Sequence, residues 1–133
     1  MRWRLIDQIA AITVVLVGAL HLVVGAGVLT RPTERGVWFF SAGLLAVTAG
    51  LANLARAGLR QPSALVTLAA LSGSLSLAVI GLLLAAAMGS AFLTGPSIVV
   101  LCLALLLAAF GMRDLVCSLR HRASRESDDG CEK

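Results

Sequence analysis

Four long apolar runs, separated by short polar segments, make up most of the chain. We place them at about residues 5–29, 36–55, 64–89 and 96–119. A helix rises 1.5 Å per residue, so about 20 apolar residues cross the ~30 Å hydrocarbon core of a bilayer. Helices also satisfy their backbone groups internally where water is absent. The pattern predicts an all-α fold, a four-helix transmembrane bundle with antiparallel helices in up-down order.

Small and polar residues within the runs recur at spacings of three and four, which places them on one helical face. In the first run this face holds Asp7, Ala11, Val14, Gly18, His21, Gly25 and Val28. In the second run it holds Gly43, Ala46, Gly50 and Asn53. Small residues let helices approach closely in a membrane. We therefore expect the two faces to meet, with Gly43 and Gly50 against the first helix.

The composition excludes a water-soluble domain. Of the 133 residues, 59% are hydrophobic and only 14% are charged, and the charge lies at the chain ends and in the connectors. The arginines form no stripe with interleaved aromatic residues, so we expect no nucleic-acid partner. The segment 120–133 is charged and Ser-rich. It predicts a disordered cytoplasmic tail after a transmembrane domain at 1–119.

The arginines are unequally divided between the two sides of the predicted bundle. One side has Arg31 and Arg35; the other has Arg2, Arg4, Arg56, Arg60, Arg113, Arg120, Arg122 and Arg125. Arginine and lysine are enriched in cytoplasmic segments of membrane proteins. The distribution predicts that both termini are cytoplasmic in the plasma (inner) membrane.

The cysteines give little support for redox or metal chemistry. Cys102, Cys117 and Cys131 form no C-x-x-C pair, which argues against a thiol–disulfide enzyme. Cys117 and His121 lie one helical turn apart, but together with Cys131 they form only a loose zinc-ligand set. A bis-histidine haem would need a second buried histidine. We expect no metal and no cofactor.

His21 is the strongest functional candidate, because ionisable groups inside a membrane are costly and are usually used. In one interpretation the imidazole hydrogen-bonds a group on the second or fourth helix and only strengthens the interface. In the other it transfers protons or binds a metal directly, which makes it the candidate catalytic residue. Ser41 and Thr48 lie at a matching depth on the second helix. We favour the structural interpretation.

A second polar group is expected at the opposite end of the first two helices. Asn53 lies near the end of the second run, and Asp7 and Gln8 lie near the start of the first. In an antiparallel pair these depths match, so they predict a hydrogen-bonded cluster that fixes the pairing. Asp114 is close enough to join it, although a solvated pair with Arg113 is the simpler interpretation.

The segment GALHLVVG around His21, followed by ERGVWFFSAGLLAVTAGLANL, resembles uncharacterised small four-span bacterial membrane proteins. The resemblance covers the first two spans and implies no particular activity. It draws attention to His21, Glu34, Trp38 and Asn53 as a set.

Two classes of function follow from these patterns. The chain is either a binding or accessory module that packs within the bilayer, against a second copy or a larger membrane partner, or a small enzyme or carrier. The enzyme or carrier would act on a lipophilic substrate with His21 in an outward-facing pocket. The candidate binding residues are His21, Glu34, Trp38, Ser41, Thr48 and Asn53. We favour the module, because one buried histidine is thin support for catalysis.

Overall fold

A computed structural model of the chain contains four helices: α1 at Arg2–Val28, α2 at Glu34–Gly58, α3 at Ala64–Met88 and α4 at Pro96–Gly130. The structure describes the backbone at 2–28, 34–59, 62–88 and 96–130, and side chains at 3–27, 36–59, 62–86 and 98–120. Each helix is long and apolar enough to cross a membrane. The prediction of an all-α protein with four membrane-length helices is confirmed.

The described helix ends follow from local sequence. Pro62 cannot continue a helix, and Ser63 begins the next one by accepting a hydrogen bond at its Oγ from the Val66 N–H, at 3.3 Å. Pro96 opens α4 at the first helical position, where its missing N–H costs nothing. Gly58 ends α2, beyond the predicted end at about Ala55. That extra turn brings Arg56 into the helix.

The helices form a bundle with a core of small side chains. Helix α1 packs most extensively on α2, and α3 packs on both α2 and α4; the α1–α4 contact is the least extensive of these. The core cluster contains Ala10, Ala11, Val14, Ala46, Leu77, Ala78, Ala104 and Leu107. Large aliphatic side chains instead point outward, as Leu16, Leu20 and Leu65 do. This arrangement suits a hydrocarbon solvent, in which small residues bring helices together and large ones face lipid.

The tightest packing lies between the glycine faces of α1 and α2. A Cβ atom added to Gly43 would lie 2.9 Å from the His21 Cβ, and one added to Gly50 would lie 2.6 Å from a Val15 methyl group. On the other helix, a Cβ at Gly18 would lie 2.8 Å from the Val47 nitrogen. No real Cβ tolerates such distances without a shift. The prediction that Gly43 and Gly50 pack against the first helix is confirmed.

Helix α4 continues to Gly130, whereas the sequence predicts a disordered tail from Arg120. A helix that is already formed extends without a new nucleation step, and the Arg, Ala and Glu residues of this segment are good helix formers.

Alanine substitutions should distinguish the closely packed glycines from a glycine with free space around it. Gly43→Ala and Gly50→Ala should each destabilise the bundle by about 1–3 kcal/mol, because the added methyl group overpacks the α1–α2 contact. Gly58→Ala is the matched control, since nothing lies within 4 Å of its added Cβ. It should be neutral or slightly stabilising. Unfolding in detergent mixtures measures the difference; equal stability of all three variants would contradict the close packing.

Candidate functional site

The most buried charged residue of the described chain is Arg56, on the last turns of α2. It is 1% exposed, and its helix position follows Asn53 by one turn. The long side chain therefore reaches into the interior of the bundle instead of toward the headgroups. A guanidinium in such surroundings is tolerated only when carboxylates and hydrogen-bond acceptors meet it.

Two carboxylates meet the Arg56 guanidinium, one from the first helix and one from the last. Nη2 donates to both carboxylate oxygens of Asp7, at 2.7 and 2.8 Å. Nη1 donates to Oδ2 of Asp114 on α4. The ion pairs join α2 to α1 and to α4 at one level of the bundle. The Arg56 Nε has no hydrogen-bond partner among the described residues.

Asn53 extends this contact set to the third helix. Its Oδ1 accepts a hydrogen bond from Arg56 Nη2 at 3.2 Å, and its Nδ2 donates to the Ser74 hydroxyl of α3 at 2.8 Å. Ser74 in turn donates to the carbonyl of Ala70 on its own helix. We call Asp7, Asn53, Arg56, Ser74 and Asp114 the polar layer. It has a member on each of the four helices.

Asp114 also joins the polar layer to the surface. Its Oδ1 accepts from Nη2 of Arg113 at 3.0 Å, and its side chain is 23% exposed against 3% for Asp7. Arg113 lies over the Phe110 ring, 5.3 Å from its centroid, which is within cation–π range. The two arginines thus balance the two aspartates. The simple solvated pair expected for Asp114 is only part of its contact set.

The predicted cluster of Asp7 and Asn53 therefore exists, but Arg56 is its centre. Gln8 is half-buried and takes no part in it within the described hydrogen bonds. The apolar run alone does not identify Arg56, because it predicts an end of the second span at about Ala55 and so places the arginine in a connector. A signal was present, since Arg56 follows Asn53 by three residues and so continues the polar face of α2 by one turn.

His21 lies in a different part of the bundle. Its ring is stacked on Phe39 of α2, with centroids 4.4 Å apart and planes inclined by 22°. Its Nδ1 lies 2.9 Å from the carbonyl oxygen of Val17, one turn earlier on the same helix. The prediction that His21 hydrogen-bonds a group on the second or fourth helix is therefore wrong. Among the described residues, the ring bonds to the backbone of its own helix instead.

A cavity of about 120 Å³ adjoins His21. Every helix contributes to its wall, for example through Val17, Ala42, Leu77 and Val100. His21 is the one polar side chain among the described residues that line it. Two helical turns, or about 10 Å, separate the lining residue Ala46 from Asn53. The cavity and the polar layer are thus distinct sites at different depths.

The structure does not bring the other candidate binding residues together around His21. Ser41 and Thr48 are exposed and donate to carbonyls of α2 itself, Ser41 to Val37 at 2.9 Å and Thr48 to Leu44 at 3.0 Å. Trp38 is 67% exposed and points away from the bundle. The side chain of Glu34 lies outside the described residues. Asn53 belongs to the polar layer.

Among the described residues, no group of three His, Cys, Asp or Glu side chains could hold a metal ion. Cys117 is exposed on α4, and the side chains of His121 and Cys131 lie outside the described part of the chain.

No family model, curated protein or solved structure matches the chain. The chemistry of the two sites is therefore inferred from their geometry.

Removal of the buried guanidinium should cost far more than removal of the exposed one. Arg56→Met leaves Asp7 as a buried carboxylate without its main partner, and should destabilise the bundle by about 3–5 kcal/mol. Arg113→Met is the matched control. That side chain is 45% exposed, so its loss should cost no more than about 1 kcal/mol.

Stability in mixed detergent micelles measures both variants. Adding Asp7→Leu to Arg56→Met should recover part of the lost stability, because the double variant no longer buries an unpaired carboxylate at position 7. Similar stabilities of the two single arginine variants would show that the polar layer does not hold the bundle together.

Proposed function

We propose that the chain is a multi-pass protein of the plasma (inner) membrane that acts as a binding or accessory module, not as an enzyme. The observation that carries this proposal is the polar layer. The most buried charged groups of the described helices, Asp7 and Arg56, are engaged with each other. Among the described residues that border the cavity, His21 alone has a polar side chain, so none of them supplies a second reactive group to act with it.

The proposal includes an up-down arrangement of the four spans. Its support is the order of contacts between α1 and α2: Gly50 lies against Val15, Gly43 against His21, and Gly25 against Phe40. Residue numbers rise on one helix as they fall on the other. Two exposed tryptophans also fit two membrane interfaces, since Trp3 lies in the first turn of α1 and Trp38 lies near the start of α2.

The proposal also places both termini in the cytoplasm. The support is the unequal distribution of arginines between the two sides of the bundle. Arg56 is not counted in it, because its charge is paired inside the bundle. The remaining arginines keep the bias, with Arg31 and Arg35 in the connector that would face outward.

The alternative is a small enzyme or carrier for a lipophilic substrate. The cavity beside His21 favours it, since the imidazole would lie at the wall of an apolar pocket. The other described residues of the wall are apolar, which suits binding of an apolar molecule more than catalysis on it. We therefore retain the binding module as the conclusion.

Cysteine labelling tests the orientation. In a cysteine-free background, an impermeant thiol reagent applied to intact cells should label Thr33→Cys and not Ser127→Cys. Both should react after the membrane is permeabilised, which controls for reactivity. Equal labelling of the two positions in intact cells would contradict the topology.

Extraction in native-membrane nanodiscs, followed by native mass spectrometry, tests the accessory role. We expect a mass that corresponds to two copies of the chain or to one copy with a larger membrane partner. The His21→Gln variant should keep the same complex, because the polar layer is unchanged in it. A single chain without partner would contradict the module. A lipid species that accumulates only in His21→Gln cells would instead favour the enzyme or carrier.

A further inference from the structure

The hydrogen bond of His21 to its own helix determines what the other ring nitrogen can do. The Val17 carbonyl oxygen can only accept, so Nδ1 must carry the hydrogen at the 2.9 Å distance observed. In a neutral imidazole the hydrogen on Nδ1 leaves Nε2 with a free lone pair. Within the described residues His21 makes no other hydrogen bond. A neutral ring with this tautomer offers an acceptor and no second donor.

The cavity has the dimensions of a small ring. It is only partly enclosed, and its volume of about 120 Å³ is close to the about 150 Å³ of engineered apolar cavities that bind benzene. Apart from His21, the described residues of its wall are aliphatic or glycine, with Leu77, Ile80 and Val100 among them. Such a wall gives a hydrocarbon ring contact area without competing polar groups.

We propose that this cavity binds a lipophilic ring compound that carries a hydroxyl group, a phenol in chemical class. The ring lies among the aliphatic side chains, and the hydroxyl donates a hydrogen bond to Nε2 of His21. Ketones and ethers of the same size can only accept hydrogen bonds, so the imidazole gives them no partner. The inference rests on the proposed function of a binding module and adds the class of its ligand.

A pair of fluorinated probes tests this selectivity. The purified full chain in one detergent is titrated with 4-fluorophenol and with 4-fluorotoluene, and binding is followed by fluorine NMR. The two probes are similar in size, and only the phenol donates. The ratio of the phenol affinity to the toluene affinity is measured for each protein. It should be about fivefold or more higher in the wild type than in His21→Phe, as expected for one lost hydrogen bond.

Comparing ratios between the two proteins cancels the different partitioning of the probes into detergent. His21→Phe keeps an aromatic ring for the stack on Phe39 while it removes the acceptor. Ala42→Leu extends a lining residue into the cavity and should weaken both probes together. Equal ratios in wild type and His21→Phe, or unchanged binding in Ala42→Leu, would overturn the proposal.

Nitrogen NMR of the wild type keeps the test independent of the variants' folding. In histidine-labelled protein the His21 Nδ1 should show a bonded hydrogen and Nε2 should not, and 4-fluorophenol should shift the Nε2 resonance. A hydrogen on Nε2, or an Nε2 signal that does not respond to saturating phenol, would overturn the proposal. The mass of the complex in nanodiscs does not depend on either of these two NMR outcomes. Failure of this inference is therefore distinguishable from failure of the accessory role.

Discussion

The bundle depends on the neutralisation of Arg56. Hydrocarbon offers a guanidinium no water, and burial of its side chain requires that charge and hydrogen bonds come from the protein. The carboxylates come from α1 and α4, so the arginine is satisfied only when three helices meet at one level. Apolar surface does not drive helices together in lipid as it does in water. The polar layer, with the close glycine contacts, therefore decides which helices meet.

Much of the architecture is readable from the sequence because its determinants are local. Run length and hydropathy predict helices that match a bilayer, and glycine spacing identifies the faces of α1 and α2 that approach closely. Asp7 and Asn53 could also be placed near each other, since the same spacing puts them on those faces. Each of these inferences needs only the helical period and the order of the elements.

The details of the sites could not be obtained this way, because they depend on which of several partners a side chain reaches. Arg56 looks like an interfacial residue until the extra turn of α2 is known. His21 and Thr48 both find a carbonyl on their own helix, an option open to any such residue one turn along. The cavity beside His21 results from the combined shape of four helices, and no single segment encodes it.

The division of charge along the chain bears on how the protein enters the membrane. Asp7 and Arg56 lie on consecutive helices, so the α1–α2 hairpin by itself already pairs one buried carboxylate with one buried guanidinium. Asp114 follows on α4, with Arg113 beside it in the sequence. Arg56 thus finds its first carboxylate within its own hairpin, and the second is supplied only when α4 packs into the bundle.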